Sequence, residues 1–112
     1  MTMTLNEYQT AAQRTSNTQY GGDKINNGIL GLFGEGGELA DIYKKFMYQN
    51  HPYDRTHLIK ELGDVLWYVA EIATGLGVSL DIVAQMNIDK LKARYPEGFD
   101  SEKSLHRKEG DI

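Results

Sequence analysis

The sequence predicts an all-α protein, a four-helix bundle-like fold completed by oligomerisation. Three observations predict it. Apolar residues recur at helical spacing in four segments, short loops rich in Gly, Asn and Pro part those segments, and no stretch makes a credible strand. With 112 residues there is room for one core and not for two. The expected organisation is therefore a single domain over 1–112, with a helical core over about 4–95 and a polar C-terminal tail over about 96–112.

The first helix opens on Thr4-Leu5-Asn6-Glu7, which fits a capping box with Thr4 as the cap and Glu7 three residues on. Leu5, Tyr8, Ala11 and Ala12 give it a modest apolar face to about Thr15. Ser16 to Asp23, with Asn17 and Gly21-Gly22, reads as a loop. A second helix starts near Lys24 or Ile25 and runs through Ile29, Leu32, Phe33, Leu39, Ile42 and Phe46 to about Tyr48. Gly28, Gly31, Gly34, Gly36 and Gly37 all fall in it, and each costs up to about 1 kcal/mol relative to Ala in a helix interior. They are expected to let a neighbouring helix or a ligand come close; the alternative is a break at Gly34 to Gly37.

Asn50-His51-Pro52-Tyr53-Asp54 forms a turn, since Pro removes a donor and disfavours helix in the residue before it. The third helix spans about Arg55 to Thr74. Leu58, Leu62, Leu66, Val69 and Ala73 form one apolar stripe on it, while Val65 and Ile72 flank its acidic face. A helix apolar on more than one side belongs in the middle of a bundle, so Glu61 and Asp64 are expected to face protein rather than bulk water. Gly75-Leu76-Gly77-Val78 ends that helix, and Ser79 with Asp81 caps a fourth. Ile82, Val83, Met86, Leu91 and Tyr95 carry its pattern until Pro96 stops it. From Glu97 onwards the chain is polar, with Phe99 and Leu105 as the docking points.

Composition removes several classes of function. A net charge of −4 gives no electrostatic case for nucleic acid or an anionic membrane as partner. There is no cysteine, hence no disulfide framework, thiol catalysis or thiolate metal site. The apolar runs are far short of a membrane span, and Met1-Thr2-Met3-Thr4 does not open a signal peptide, so a cytoplasmic protein is expected.

Chemistry concentrates in two acidic pairs. Glu35-Gly36-Gly37-Glu38 and Glu61-Leu62-Gly63-Asp64 each place two carboxylates three residues apart. On a helix that spacing stacks them on one face with about 4.5 Å of rise between them. One such pair is common on solvated faces, whereas these two point the same way as Leu32, Leu39 and Ile42 and as Val65, Tyr68 and Ile72. Carboxylates on the apolar side of two helices repel one another and lose hydration, which a cation would relieve. Carboxylate oxygens suit Mg²⁺, which keeps several waters and takes up substrate phosphates. The pairs therefore read as a magnesium site for phosphate chemistry.

Gly34-Glu35-Gly36-Gly37-Glu38-Leu39-Ala40-Asp41 and Lys60-Glu61-Leu62-Gly63-Asp64-Val65-Leu66-Trp67 resemble the paired ExxE and ExxD motifs of the MazG-like all-α nucleoside triphosphate pyrophosphohydrolases. The resemblance covers roughly Leu5 to Phe99. It implies that Glu35, Glu38, Glu61 and Asp64 bind Mg²⁺, with Mn²⁺ as a substitute, and that a nucleoside triphosphate is cut between its α and β phosphates to clear a non-standard or surplus nucleotide. Gly36 departs from the pattern, standing where the family often has a larger apolar residue. The expected chemistry is in-line attack by an activated water on the α phosphorus, with Glu38 taking the proton and pyrophosphate leaving on a second metal.

The fourth helix adds Asn87, Lys90 and Arg94 on one face, and Asn87 to Pro96 also resembles the family's phosphate-contacting segment. The other reading is a solvated basic face near a helix C-terminus, where cations are favoured anyway. Tyr68, one turn beyond Asp64, is a candidate for stacking on a base or reaching a phosphate. Trp67 reads as a core aromatic and Glu71 as a candidate outer carboxylate; His51, His57 and His106 read as surface residues. The resemblance further implies a homodimer or a tetramer built from dimers, with residues 96–112 lying across a partner and Phe99 and Arg107 as the contact points. Two other readings stand beside this one. One keeps the metal site but takes phosphoribosyl-ATP or dUTP as substrate; the other is a non-catalytic acidic helical protein that binds a protein partner.

Overall fold

The structure is a computed structural model that describes residues 2–17 and 23–112. Most of the expected loop from Ser16 to Asp23 therefore lies outside the described residues. Among the described residues five helices follow in order: α1 (Leu5–Gln13), α2 (Lys24–Tyr48), α3 (Arg55–Gly75), α4 (Leu80–Arg94) and α5 (Ser101–Leu105). Among the described residues there is no strand, and the all-α class is as expected. No single helix is long and apolar enough to cross a membrane.

The ends of the helices are set by local hydrogen bonds. In α1 the Thr4 hydroxyl accepts from the Glu7 N–H at 3.1 Å, and the Thr4 N–H donates to Glu7 Oε1 at 3.2 Å, completing the capping box. Asp23 caps α2 by accepting from the Ile25 N–H, and Asp54 caps α3 by accepting from the His57 N–H. Asn50 leaves α2 at φ 57, a left-handed conformation Asn tolerates, and the His51 N–H then reaches back to the Lys45 carbonyl. At the end of α3, Gly77 sits at φ 73 and donates to the Thr74 carbonyl while Val78 donates to that of Ala73, a Schellman motif. The α2 segment runs unbroken through Gly34, Gly36 and Gly37.

The chain divides into two compact units, residues Met1–Leu80 and Asp81–Ile112. In the first, α3 packs against both α1 and α2. Its core is small: Ala12, Ala70, Ala73 and Leu80 are buried, with Tyr8, Trp67, Val69 and Val78 packed around them. Gln9 ties α1 to the end of α3, donating to Thr74 Oγ1 and the Val78 carbonyl and accepting from the Leu80 N–H.

The expected apolar stripe of α3 is buried only at its C-terminal end. Ala73 is 2% exposed, whereas Leu62 is 56% and Leu66 36% exposed. Within the first unit α1 has nine residues, and its hydrogen bonds to α3 reach Trp67, Glu71 and Thr74 but not the N-terminal half of the stripe.

In the second unit, residues 81–93 of α4 are exposed. Pro96 and Gly98, the latter at φ 96, turn the chain, and Asp100 caps the short helix α5 through the Glu102 N–H. The expected polar tail thus contains a helix, whose cap is visible in the sequence but whose apolar pattern is too short to register.

Candidate active site

Glu35 and Glu38 project from α2 and Glu61 from α3, and each offers a carboxylate oxygen within 4.8 Å of the other two. Close packing of the two helices makes this convergence possible. A Cβ on Gly28 would meet the Ile72 nitrogen and the Tyr68 carbonyl at 3.1 Å, and one on Gly31 would run into the Tyr68 ring. These two glycines act as expected, by admitting a neighbouring helix. Among the described residues, nothing lies within 4 Å of a Cβ position on Gly34, Gly36 or Gly37.

The electrostatics mark the cluster as incomplete. Burial, the charge of Glu38, proton sharing with Glu61 and the charge of Asp64 all push the Glu35 carboxyl above its ordinary value. Glu35 Oε2 and Glu61 Oε2 are buried without a hydrogen-bond partner. When both groups are ionised neither can donate to the other, so both oxygens are left without a donor. The remaining oxygen of Glu61 lies 3.5 Å from His57 Nε2. A divalent cation fits this donor set, since hard cations are held by carboxylate oxygens and would supply the missing partners.

Asp64, the fourth acid, lies outside the trio and is exposed, which corrects the expectation that it faces protein. With Glu35, Thr15, Trp67 and Tyr68 it lines a cavity of ≈ 410 Å³. Burial first, and then the charge of Asp64, push the Tyr8 hydroxyl pKa up, so Asp64 also acts on α1. Tyr68 is half-buried at the cavity wall and meets Trp67 edge-on at 5.0 Å. Trp67 is held as a core aromatic, its Nε1 donating to the Ala12 carbonyl at 3.1 Å and to Thr15 Oγ1 at 3.0 Å.

Glu71 is not an outer carboxylate of this cluster. It is 1% exposed and accepts from Gln13, Ser16 and Asn27, with Lys24 Nζ at 3.7 Å. Asn87 and Lys90 are exposed on α4 in the second unit. Arg94 is engaged elsewhere, its Nε and Nη2 donating to the two Asp111 oxygens at 2.8 Å each. Sequence reasoning missed Tyr8 and Thr15, which no spacing connects to the acidic motifs. The place of His57 beside Glu61 was visible as an i, i+4 pair.

Residues 25–99 match the family model described as the MazG nucleotide pyrophosphohydrolase domain. The chain belongs to this family. The MazG span contains all four acids of the two motifs and ends at Phe99, leaving α5 and the residues after it outside. The chain is also 37% identical over 105 residues to the Gene 37 protein of Mycobacterium phage L5, a match covering 86% of this chain and 92% of the phage protein. No solved structure gives a significant match.

Proposed function

We propose that the protein is a Mg²⁺-dependent nucleoside triphosphate pyrophosphohydrolase that cleaves between the α and β phosphates and releases a nucleoside monophosphate and pyrophosphate. The observation that carries this reading is the pair of buried, partnerless oxygens, Glu35 Oε2 and Glu61 Oε2, inside a three-carboxylate cluster. Membership of the MazG family supports the same class of reaction.

In this reading Glu35, Glu38 and Glu61 hold the ion, and Asp64 completes the set from the cavity side. The ion, when bound, neutralises phosphate charge and makes a water more acidic. Glu38, exposed at the edge of the cluster, accepts a proton from the water that attacks the α phosphorus. Tyr68 and Trp67 form the wall against which the nucleotide packs. The apolar side chains left exposed on α2 and α3, among them Leu30, Phe33, Leu62 and Leu66, support a dimer or a tetramer of this chain.

The test is an assay for pyrophosphate and monophosphate with Mg²⁺ and a panel of ribo- and deoxynucleoside triphosphates that includes dUTP, with phosphoribosyl-ATP alongside. At least one substrate is expected to give equal amounts of the two products, and Glu35→Ala or Glu61→Ala should lower the rate at least about 100-fold. Silence across the panel, or a rate unchanged by both variants, contradicts the proposal.

A further inference from the structure

The C-terminal unit carries an open cavity that the acidic cluster does not explain. Helices α4 and α5 and the residues after them surround ≈ 480 Å³, a volume in the range of small-molecule sites, about 300–1,000 Å³. Lys90, Arg94, Lys103, Arg107 and Lys108 line it, with Asp111 as the one carboxylate side chain in its wall. Asp111 is already committed, because both of its oxygens accept from Arg94. Gly110 at φ 87 and the Asp111 N–H bond to the Lys108 carbonyl turn the chain back, which brings Asp111 to Arg94. The Asp111 carboxyl is held below its ordinary range, chiefly by the Arg94 hydrogen bonds and against the effect of burial, with smaller contributions from the charges of Arg107 and Lys90. Those two cations therefore act on the same point.

Among the described residues, Lys90, Lys103, Arg107 and Lys108 have no ion-pair partner. Four exposed cations gathered on one concavity, in a chain whose net charge is −4, make a local positive patch that an anion would offset. Ala93, Pro96 and Ile112 supply an apolar stretch of the same wall. A cationic end beside an apolar stretch suits a phosphate carried on a planar body, with the Arg guanidinium able to grip phosphate through two parallel bonds. Lys103, Arg107 and Lys108 also lie beyond residue 99, where the MazG match ends.

We propose that the C-terminal unit is a second, metal-independent binding site for an organic phosphate of nucleotide size, held by Lys103, Arg107 and Lys108 against the apolar wall. The site goes beyond the hydrolytic reading and does not rest on it. The test is calorimetric titration of the full chain in excess EDTA with AMP, adenosine and inorganic phosphate. AMP is expected to bind once per chain, more tightly than inorganic phosphate, and adenosine is expected not to bind. The exposed pair Lys103→Gln with Arg107→Gln should weaken AMP at least about tenfold, Lys103→Arg with Arg107→Lys should keep most of the affinity, and Glu61→Gln should leave it unchanged. On the unaltered chain the affinity should fall as NaCl is raised. No AMP binding in EDTA, binding insensitive to salt or to the double Gln variant, or loss of binding in Glu61→Gln overturns the site. Equal affinity for AMP and inorganic phosphate overturns the nucleotide-sized ligand.

Discussion

Glu35 and Glu71 are both glutamates pointing into the same three-helix unit, and their surroundings push them in opposite directions. Burial alone would push the Glu71 carboxyl up, but the hydrogen bonds from Gln13, Ser16 and Asn27 and the charge of Lys24 outweigh it and hold the group below its ordinary value. Its stabilising effect is complete above the unfolded-state value, near 4.5, and is lost as pH falls through the lower folded value. Truncation to Glu71→Ala strands Lys24 and three polar side chains and should cost about 3 kcal/mol at neutral pH, with the gap to the unaltered chain narrowing below about pH 4. Thermal melts at both pH values check this. A gap that stays constant or widens on acidification contradicts the ionised network. The acidic motifs were legible because an i, i+3 pair of acids on an apolar face is a local pattern. The role of Glu71 was not, since its four partners lie 44 to 58 residues away in the chain, and no single-helix spacing reports them.

At the scale of the element, the glycines of α2 divide by what lies opposite them. Gly28 and Gly31 face α3 at contact distance, whereas Gly34, Gly36 and Gly37 face open space. Gly28→Ala is therefore expected to force the helices apart and destabilise by about 1–3 kcal/mol, because backbone atoms of Tyr68 and Ile72 cannot move aside as a side chain can. Gly36→Ala should stabilise by up to about 1 kcal/mol through helix propensity alone. Denaturant unfolding of the two variants checks the opposite signs; a stabilised Gly28→Ala would contradict the packing. The spans of α2 and α3 and the α1 capping box could be read from periodicity and caps, and α4 to within a residue of Pro96. The five-residue α5 could not, since so short a helix depends on Asp100 and its neighbours rather than on an apolar face.

At the scale of the molecule, few large side chains are buried while Leu30, Phe33, Leu62 and Leu66 remain exposed. Association of two copies over α2 and α3 would cover such residues. Sedimentation equilibrium is expected to return a multiple of 12.6 kDa, and a strictly monomeric mass would contradict this part of the account. The exposure of Leu62 and Leu66 could not be foreseen from the stripe itself, because periodicity shows which residues share a face and not which neighbour is long enough to cover it.

Glu35, Glu38 and Glu61 are proposed to share one divalent cation. The most direct measurement is calorimetric titration of the metal-free chain with Mg²⁺, repeated on Glu35→Gln and Glu61→Gln with no nucleotide present. Saturable binding in the unaltered protein that both variants weaken at least about tenfold is the predicted result. Absence of Mg²⁺ binding, or binding that both variants leave untouched, contradicts it.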